Sequence, residues 1–290
     1  MKTLIITGGN SQIVKNSLNY LGNFYASYSK VILFTSQPVS YSIPKNFINE
    51  IHDYHKDYSL NLVLEGSDEI DLIHTAAATP SVYKDDESSY TYINNEQPKK
   101  LVESIKPKLH KIFYISTSSV FDFENDEKII FEDSPKTTKE KNVYGYSKLL
   151  FEEYLNQSGL QYLAIRVPVM ITKNVKNNFM SKLKQNIDQK NKISVGFPNE
   201  LFNSFGYDQD IYKLIETYLV VEYKDIRGSF NISTNNPVSL ASLLNAIGIE
   251  DFEEVVYPRK PKLISNEKLQ QGLGIKLSDT SEVFKQFIGN

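Results

Sequence analysis

Short apolar runs alternate with amphipathic stretches through the first half of this chain, and no other feature constrains its fold as tightly. The runs at residues 3–6, 31–34, 72–74, 111–115 and 162–165 are bounded by Gly, Pro, Ser, Thr, Asp or Lys. Runs this short and this apolar read as strands buried on both faces. Between them, residues 13–21, 94–105 and 144–155 carry apolar side chains at helical spacing. Alternation of this kind predicts an α/β fold with a doubly wound parallel sheet and helices on both faces. Ligands of such sheets bind beyond the carboxyl ends of the strands.

The pattern changes after Pro168. Residues 174–191 are polar and helix-prone, and 193–205 read as a loop with short strands. Residues 211–221 read as a strong helix and 228–232 as a strand. A helix capped by Ser239 closes on Gly248, and 268–274 and 281–288 look helical. Residues 1–168 are therefore assigned to a nucleotide-binding domain. Residues 169–290 form a smaller lobe, with 206–222 expected to pack back on the first domain. A formal net charge of −3 offers no basic footprint for nucleic acid or an anionic membrane. The chain has no cysteine, so disulfides, thiol catalysis and thiolate metal sites are excluded. The opening run is too short for a membrane span, and no other stretch approaches the required about 18 apolar residues. A cytoplasmic location is the expectation.

Chemistry enters at the first strand-to-helix turn, Thr7-Gly8-Gly9-Asn10-Ser11-Gln12-Ile13-Val14. Backbone N–H groups at such a turn, with the helix dipole behind them, suit a pyrophosphate. A full G-x-x-G-x-x-G fingerprint would place glycines at 8, 11 and 14, but Ser11 and Val14 replace two of them. Val14 should push the helix out or cost about 1–3 kcal/mol of overpacking. Taken alone, the turn fits a plain strand-to-helix connection as well as a dinucleotide site.

A second cluster is more specific. The strand at 111–115 runs into Ser116-Thr117-Ser118-Ser119, and Asn142-Val143-Tyr144-Gly145-Tyr146-Ser147-Lys148 opens a later helix. Tyr144 and Lys148 are four apart and share a helix face. A phenol has a pKa of about 10, and a neighbouring ammonium favours its ionised form. With a hydroxyl such as Thr117 to hold the substrate oxygen, the trio suits proton transfer coupled to hydride transfer at a carbon bearing oxygen. In a chain with 19 tyrosines the spacing alone also fits a surface pair. Its place after a Ser/Thr-rich strand end, in an alternating α/β chain, decides for the functional reading.

With these residues in view, the chain resembles the extended short-chain dehydrogenase/reductases, the NAD(P)-dependent sugar-nucleotide epimerases, dehydratases and reductases. Within them it is most similar to the dTDP-4-dehydrorhamnose reductase branch. The matching stretches run in order: LIITGGNSQI, Asp57-Tyr58-Ser59, DLIHTAAATPSVYKDD, Asn94-Asn95-Glu96-Gln97-Pro98, ISTSSVFDF, Glu132-Asp133, NVYGYSKLLFEE, Arg166-Val167-Pro168, Asn178-Phe179 and EKLQQGLGI. The resemblance implies a Rossmann-type NAD(P)-binding domain with a C-terminal substrate-binding lobe, a nucleotide-sugar substrate and a homodimer. It makes Thr117, Tyr144 and Lys148 the catalytic trio, with Tyr144 the general acid of a ketone reduction and Lys148 also on the nicotinamide ribose. Gly8, Asn10, Ser11, Gln12, Ile13, Thr35, Ser36, Asp57, Tyr58, Ala76, Ala77, Ala78 and Val167 would contact the cofactor, Asp57 and Tyr58 at the adenine. Thr79, Ser118, Arg166 and Asn178 would contact the substrate. Asn94 would stand on the helix behind the site.

The second strand ends Phe34-Thr35-Ser36-Gln37, without an acidic residue for a ribose 2′-hydroxyl and without an adjacent Arg. Hydroxyls there tolerate a 2′-phosphate better than a carboxylate would, so the reading leans to NADP over NAD. No metal is expected: His52 and His55 lack a third ligand, and Asp208 and Asp210 suit a helix N-terminus. Three functions stay open at this point. They are a reductase of a nucleotide-linked 4-keto sugar, an epimerase using the same residues, and a non-catalytic subunit that keeps the fold with a degenerate glycine turn.

Overall fold

The computed structural model describes residues 1–60, 64–84, 86–174, 178–221, 226–256 and 260–289. They divide into two compact units, each built from three separate stretches of chain. The first comprises 1–122, 136–166 and 212–229; the second comprises 123–135, 167–211 and 230–290.

The first unit is built on a seven-stranded sheet. Its strands are β1 (Lys2–Thr7), β2 (Lys30–Thr35), β3 (Phe47–Ile51), β4 (Glu69–His74), β5 (Leu109–Thr117), β6 (Tyr162–Val167) and β7 (Gly228–Asn231), the last shared at its end with the second unit. The order across the sheet is β7-β6-β5-β4-β1-β2-β3. Pairing is parallel through β3, β2, β1, β4 and β5. The direction of winding reverses between β1 and β4, the switch point where such sheets open a crevice. Every expected strand is present. β3 is an addition the sequence did not reveal.

Burial on both faces explains why the central strands are continuous apolar runs: β1, β2 and β4 are buried at every position after the first. On one face Ile5, Ile32, Leu72, Ile112 and Ala164 meet Leu101 and Val102 of α2 (Gln97–Ile105) and Phe151 and Leu155 of α3 (Val143–Gln157). Helix α1 (Gln12–Tyr20) follows β1, and most of α4 (Asp208–Val220) belongs to this unit. There the Tyr212 hydroxyl donates to the Ile13 carbonyl (2.9 Å), and Lys111 Nζ donates to the Tyr218 carbonyl (3.3 Å).

The second unit has its own core, with Ile171, Met180, Leu183, Val195, Phe205, Leu244 and Phe284 at its centre. Its strands are two or three residues long, such as Val169–Ile171 beside Phe205–Tyr207 and Ile129–Ile130 beside Leu263–Ile264. Strands so short supply few backbone bonds, and buried amides tie the pieces together. Asn203 donates to the Ile264 carbonyl (2.9 Å) and accepts from its N–H (3.0 Å). Of the helix expected over 174–191, residues 175–177 lie outside the described residues. The helix observed is Phe179–Asp188. Residue 85, within the quoted DLIHTAAATPSVYKDD stretch, also lies outside them. Among the described residues no helix is long and apolar enough to cross a membrane.

Candidate active site

The site is assembled at the carboxyl ends of β1, β4 and β5, around the start of α3. Thr117 closes β5 and caps a 3-10 turn over Ser118–Val120, its hydroxyl accepting from the Ser119 N–H (3.1 Å). Asn142 caps α3 through the Gly145 N–H (2.9 Å). The two pieces touch because residue 145 is glycine. A Cβ there would lie 1.9 Å from the Ser119 carbonyl oxygen. This close approach brings Tyr144 to Thr117.

Tyr144 is partly buried, and burial raises its pKa to about 12. The Thr117 hydroxyl, as hydrogen-bond partner, pulls it down, and Tyr90 pushes it up. The ammonium of Lys148 is not among the groups acting on the phenol, contrary to the sequence expectation. Tyr144 is therefore a protonated phenol at neutral pH. Lys148 lies one turn on, 1 % exposed, its Nζ 4.5 Å from the centre of the Tyr114 ring. It makes no hydrogen bond or ion pair with any described residue. Burial lowers its pKa to about 7, against the pull of Glu152.

A hydrogen-bonded floor fixes this geometry. Asn94 lies in a π-helical turn, Tyr92–Glu96, a kind of insertion common at functional sites. It accepts from the Ala78 N–H (2.8 Å) and donates to the Ala78 carbonyl (3.0 Å) and the Ser147 hydroxyl (3.0 Å). Ser147 in turn donates to the Tyr144 carbonyl (2.8 Å). His74, at the end of β4, meets the Thr7 hydroxyl through Nδ1 (2.7 Å), and burial holds it neutral, well below the usual histidine pKa. Thr7 also accepts from the N–H groups of Thr75 (3.2 Å) and Ala76 (3.3 Å). Ala76 and Ala78 are buried, Ala77 is partly exposed, and Thr79 meets the Ser81 hydroxyl (3.0 Å).

At the glycine turn, Gly8 has φ +72, and a Cβ there would lie 2.6 Å from Thr75 Oγ1. Glycine is needed at this position on both counts. Ser11 is different. With φ −67 and ψ 149 it has ordinary extended backbone and caps α1, accepting from the Val14 N–H (3.4 Å). Val14 is 4 % exposed within α1. The first N–H groups of α1, Gln12 and Ile13, make no bond to a described residue. Beside the turn, Asn10 Oδ1 accepts from the N–H groups of Ser36 (3.0 Å) and Gln37 (3.3 Å). Thr35 is buried and its hydroxyl accepts from Asn49 Nδ2 (2.7 Å).

Three of the expected residues are engaged by other side chains of the protein. Asp57 is exposed and accepts from the Tyr92 hydroxyl (2.9 Å) and Lys100 Nζ (2.9 Å). Tyr58 stacks on His52 (centroids 3.9 Å apart) and packs on Phe34. Arg166 is turned into the core, 6 % exposed, because a buried carboxylate claims it. Its Nε (3.0 Å) and Nη2 (2.7 Å) donate to Glu152 Oε2, while the Ser116 hydroxyl donates to Glu152 Oε1 (2.5 Å). Val167 and Asn178 belong to the second unit. Asn178 caps the Phe179–Asp188 helix and donates to the Met170 carbonyl (2.9 Å). The residue that sequence reading missed is Tyr54. Its hydroxyl accepts from the Gly8 N–H (2.9 Å) and donates to the Phe34 carbonyl (3.1 Å). It follows β3, the strand left unrecognised. At the opposite end of the strands Glu69, Asp71 and His110 cluster as a metal site would. Lys2 Nζ already stands 3.0 and 3.1 Å from the two carboxylates.

Comparison with known proteins places this geometry among relatives. The family profile described as the RmlD substrate binding domain matches residues 1–197. No curated protein matches the chain. UDP-glucuronic acid 4-epimerase from Bacillus cereus, solved with NAD, is similar at 19% identity and TM-score 0.77, over 100% of this chain and 99% of that one. WbmG of Bordetella bronchiseptica, also with NAD, is similar at 16% identity and TM-score 0.80, over 99% and 93%. dTDP-4-dehydrorhamnose reductase from Bacillus anthracis str. Ames, with NADP, is similar at 19% identity and TM-score 0.75, over 99% and 98%. At such identities these likenesses establish the fold.

Proposed function

Because the chain belongs to the RmlD substrate binding domain family, we propose that it is an NAD(P)(H)-dependent reductase of a nucleotide-linked 4-keto sugar, working in the cytoplasm. The observation that carries this reading is the meeting of a protonated Tyr144 phenol with the Thr117 hydroxyl, one helical turn from a buried Lys148 that meets the Tyr114 ring and makes no hydrogen bond or ion pair with a described residue. Two features fit a nicotinamide dinucleotide. A buried ammonium costs free energy unless a polar group meets it, and the ribose hydroxyls are such a group. The uncapped N–H groups of Gln12 and Ile13, at a helix start, suit the pyrophosphate.

When bound, the reduced nicotinamide supplies a hydride to the sugar carbonyl carbon. Thr117 holds the carbonyl oxygen, and Tyr144 gives that oxygen its proton, so hydride and proton together make the alcohol. Lys148 orients the ribose. The buried Glu152–Arg166 pair anchors α3 beneath Lys148. The solved structures named above carry NAD or NADP, and they include a UDP-sugar epimerase and a dTDP-sugar reductase, which supports the same substrate class here.

The test is NAD(P)H consumption with nucleoside-diphosphate 4-keto sugars. Turnover is expected, and Tyr144→Phe should lower kcat by roughly 10²–10⁴-fold while leaving cofactor affinity in place. Full turnover by Tyr144→Phe, or none by the native chain with any such sugar, would overturn the reading.

A further inference from the structure

The corner between the carboxyl ends of β1 and β2 is where sheets of this type receive the adenosine half of a dinucleotide. In this chain that corner is filled by side chains of the protein itself. The Tyr54 hydroxyl spans the two strand ends, accepting from the Gly8 N–H (2.9 Å) and donating to the Phe34 carbonyl (3.1 Å). Its ring packs edge-on against His52 (5.1 Å). Gln97, fully buried, pins the loop behind it, Nε2 donating to the carbonyls of Tyr54 (2.8 Å) and Lys56 (2.7 Å). From the other side Asn10 takes the Ser36 and Gln37 N–H groups, and the Tyr41 hydroxyl donates to the Gly9 carbonyl (2.6 Å).

The nicotinamide end differs. There Lys148 makes no hydrogen bond or ion pair with a described residue, and the first N–H groups of α1, those of Gln12 and Ile13, make no bond to one. We propose that Tyr54 is a built-in occupant of the adenosine end of the cofactor cleft, so that a whole dinucleotide binds only after the phenol leaves Gly8 and Phe34. Tyr54 then sets how strongly the chain favours dinucleotides over nicotinamide mononucleotides. The inference rests on the cofactor reading above and adds to it a competitor supplied by the chain. Apparent affinity falls by the fraction of molecules in which the competitor has moved aside. Two hydrogen bonds holding it make that fraction small.

Calorimetric titration with NADH, NADPH and reduced nicotinamide mononucleotide separates the possibilities, using the native chain, Tyr54→Ala and Tyr54→Phe. Tyr54→Ala should bind both dinucleotides at least about tenfold tighter than the native chain. Tyr54→Phe keeps the ring but loses both hydrogen bonds, and should fall between the two. Affinity for the mononucleotide should stay within about twofold in all three, because it lacks the adenosine. Dinucleotide affinity that is unchanged or weaker in both variants, with native circular dichroism, overturns the proposal. An equal gain for the mononucleotide also overturns it, since the cleft would then have loosened as a whole. If neither dinucleotide nor mononucleotide binds any of the three proteins, the cofactor reading falls and the Tyr54 proposal falls with it. Failure of the Tyr54 proposal alone leaves the native chain binding both.

Discussion

A lysine that is 1 % exposed and makes no ion pair with a described residue leaves a signature in stability. Burial lowers Lys148 from its ordinary 10.5 to about 7. Between those two values the unfolded chain binds a proton that the folded chain does not. Stability therefore rises with pH through that window and is lost as pH falls toward 7. Denaturant unfolding from pH 7 to 9 should show the native chain gaining on Lys148→Met, by at most about 1.4 kcal/mol per pH unit. A parallel pair of curves would contradict the burial of a neutral amine. The neighbouring Glu152 behaves differently, because Arg166 and Ser116 satisfy its carboxylate. Removing one partner of a buried ion pair leaves the other charge stranded, typically at about 3–5 kcal/mol. Arg166→Met should cost that much in urea unfolding, and Glu152→Leu with Arg166→Met together much less. The pair was not legible in the sequence. Arg166 stands 14 residues from Glu152 along the chain, and which carboxylate an arginine meets is decided by tertiary packing.

Among elements, what could be read tracked burial. The central strands announce themselves because a strand covered on both faces must be apolar throughout, as in Leu4-Ile5-Ile6. β3 did not, because it is an edge strand buried only at Phe47, with Ile48 and Ile51 exposed and Asn49 and Glu50 between them. With it Tyr54 went unnoticed, while the expected adenine contacts, Asp57 and Tyr58, lie a little further along the chain. The trio of Thr117, Tyr144 and Lys148 could be proposed from the sequence because helical spacing and a hydroxyl-rich strand end are local signals. The joint between β5 and α3 is a sharper matter. Gly145 lets the helix start sit against the Ser119 carbonyl, where a Cβ would lie 1.9 Å away. A backbone atom cannot yield as a side-chain tip can. Gly145→Ala should therefore destabilise by about 1–3 kcal/mol, and it should move Tyr144 off Thr117. Calorimetry reports the first effect, and loss of turnover out of proportion to the lost stability reports the second. Full turnover with unchanged Tm would show that the contact is slack.

At the scale of the whole molecule, the connectivity of the two units governs how the chain comes apart. Each has a core of its own, around Leu72 and Ile112 in one and around Leu244 and Phe284 in the other. Neither is a continuous piece of sequence, because the chain passes from one to the other at residues 122, 135, 166, 211 and 229. A cut at residue 168 would strip the first unit of its 212–229 segment, and with it the Tyr212 bond to Ile13 and the Tyr218 carbonyl that receives Lys111. Lys111 is 4 % exposed in the intact chain, so the truncated piece would lose both that hydrogen bond and the packing that covers the lysine. A fragment of residues 1–168 should accordingly fail to show a cooperative melt. The intact chain should unfold in one calorimetric transition, since the chain crosses between the two cores five times. A cofactor present at about 100 times its Kd should raise that single transition as a whole, by about 2.7 kcal/mol of added stability. Two resolved transitions, with only one moved by NADH, would show instead that the five crossings do not couple the cores.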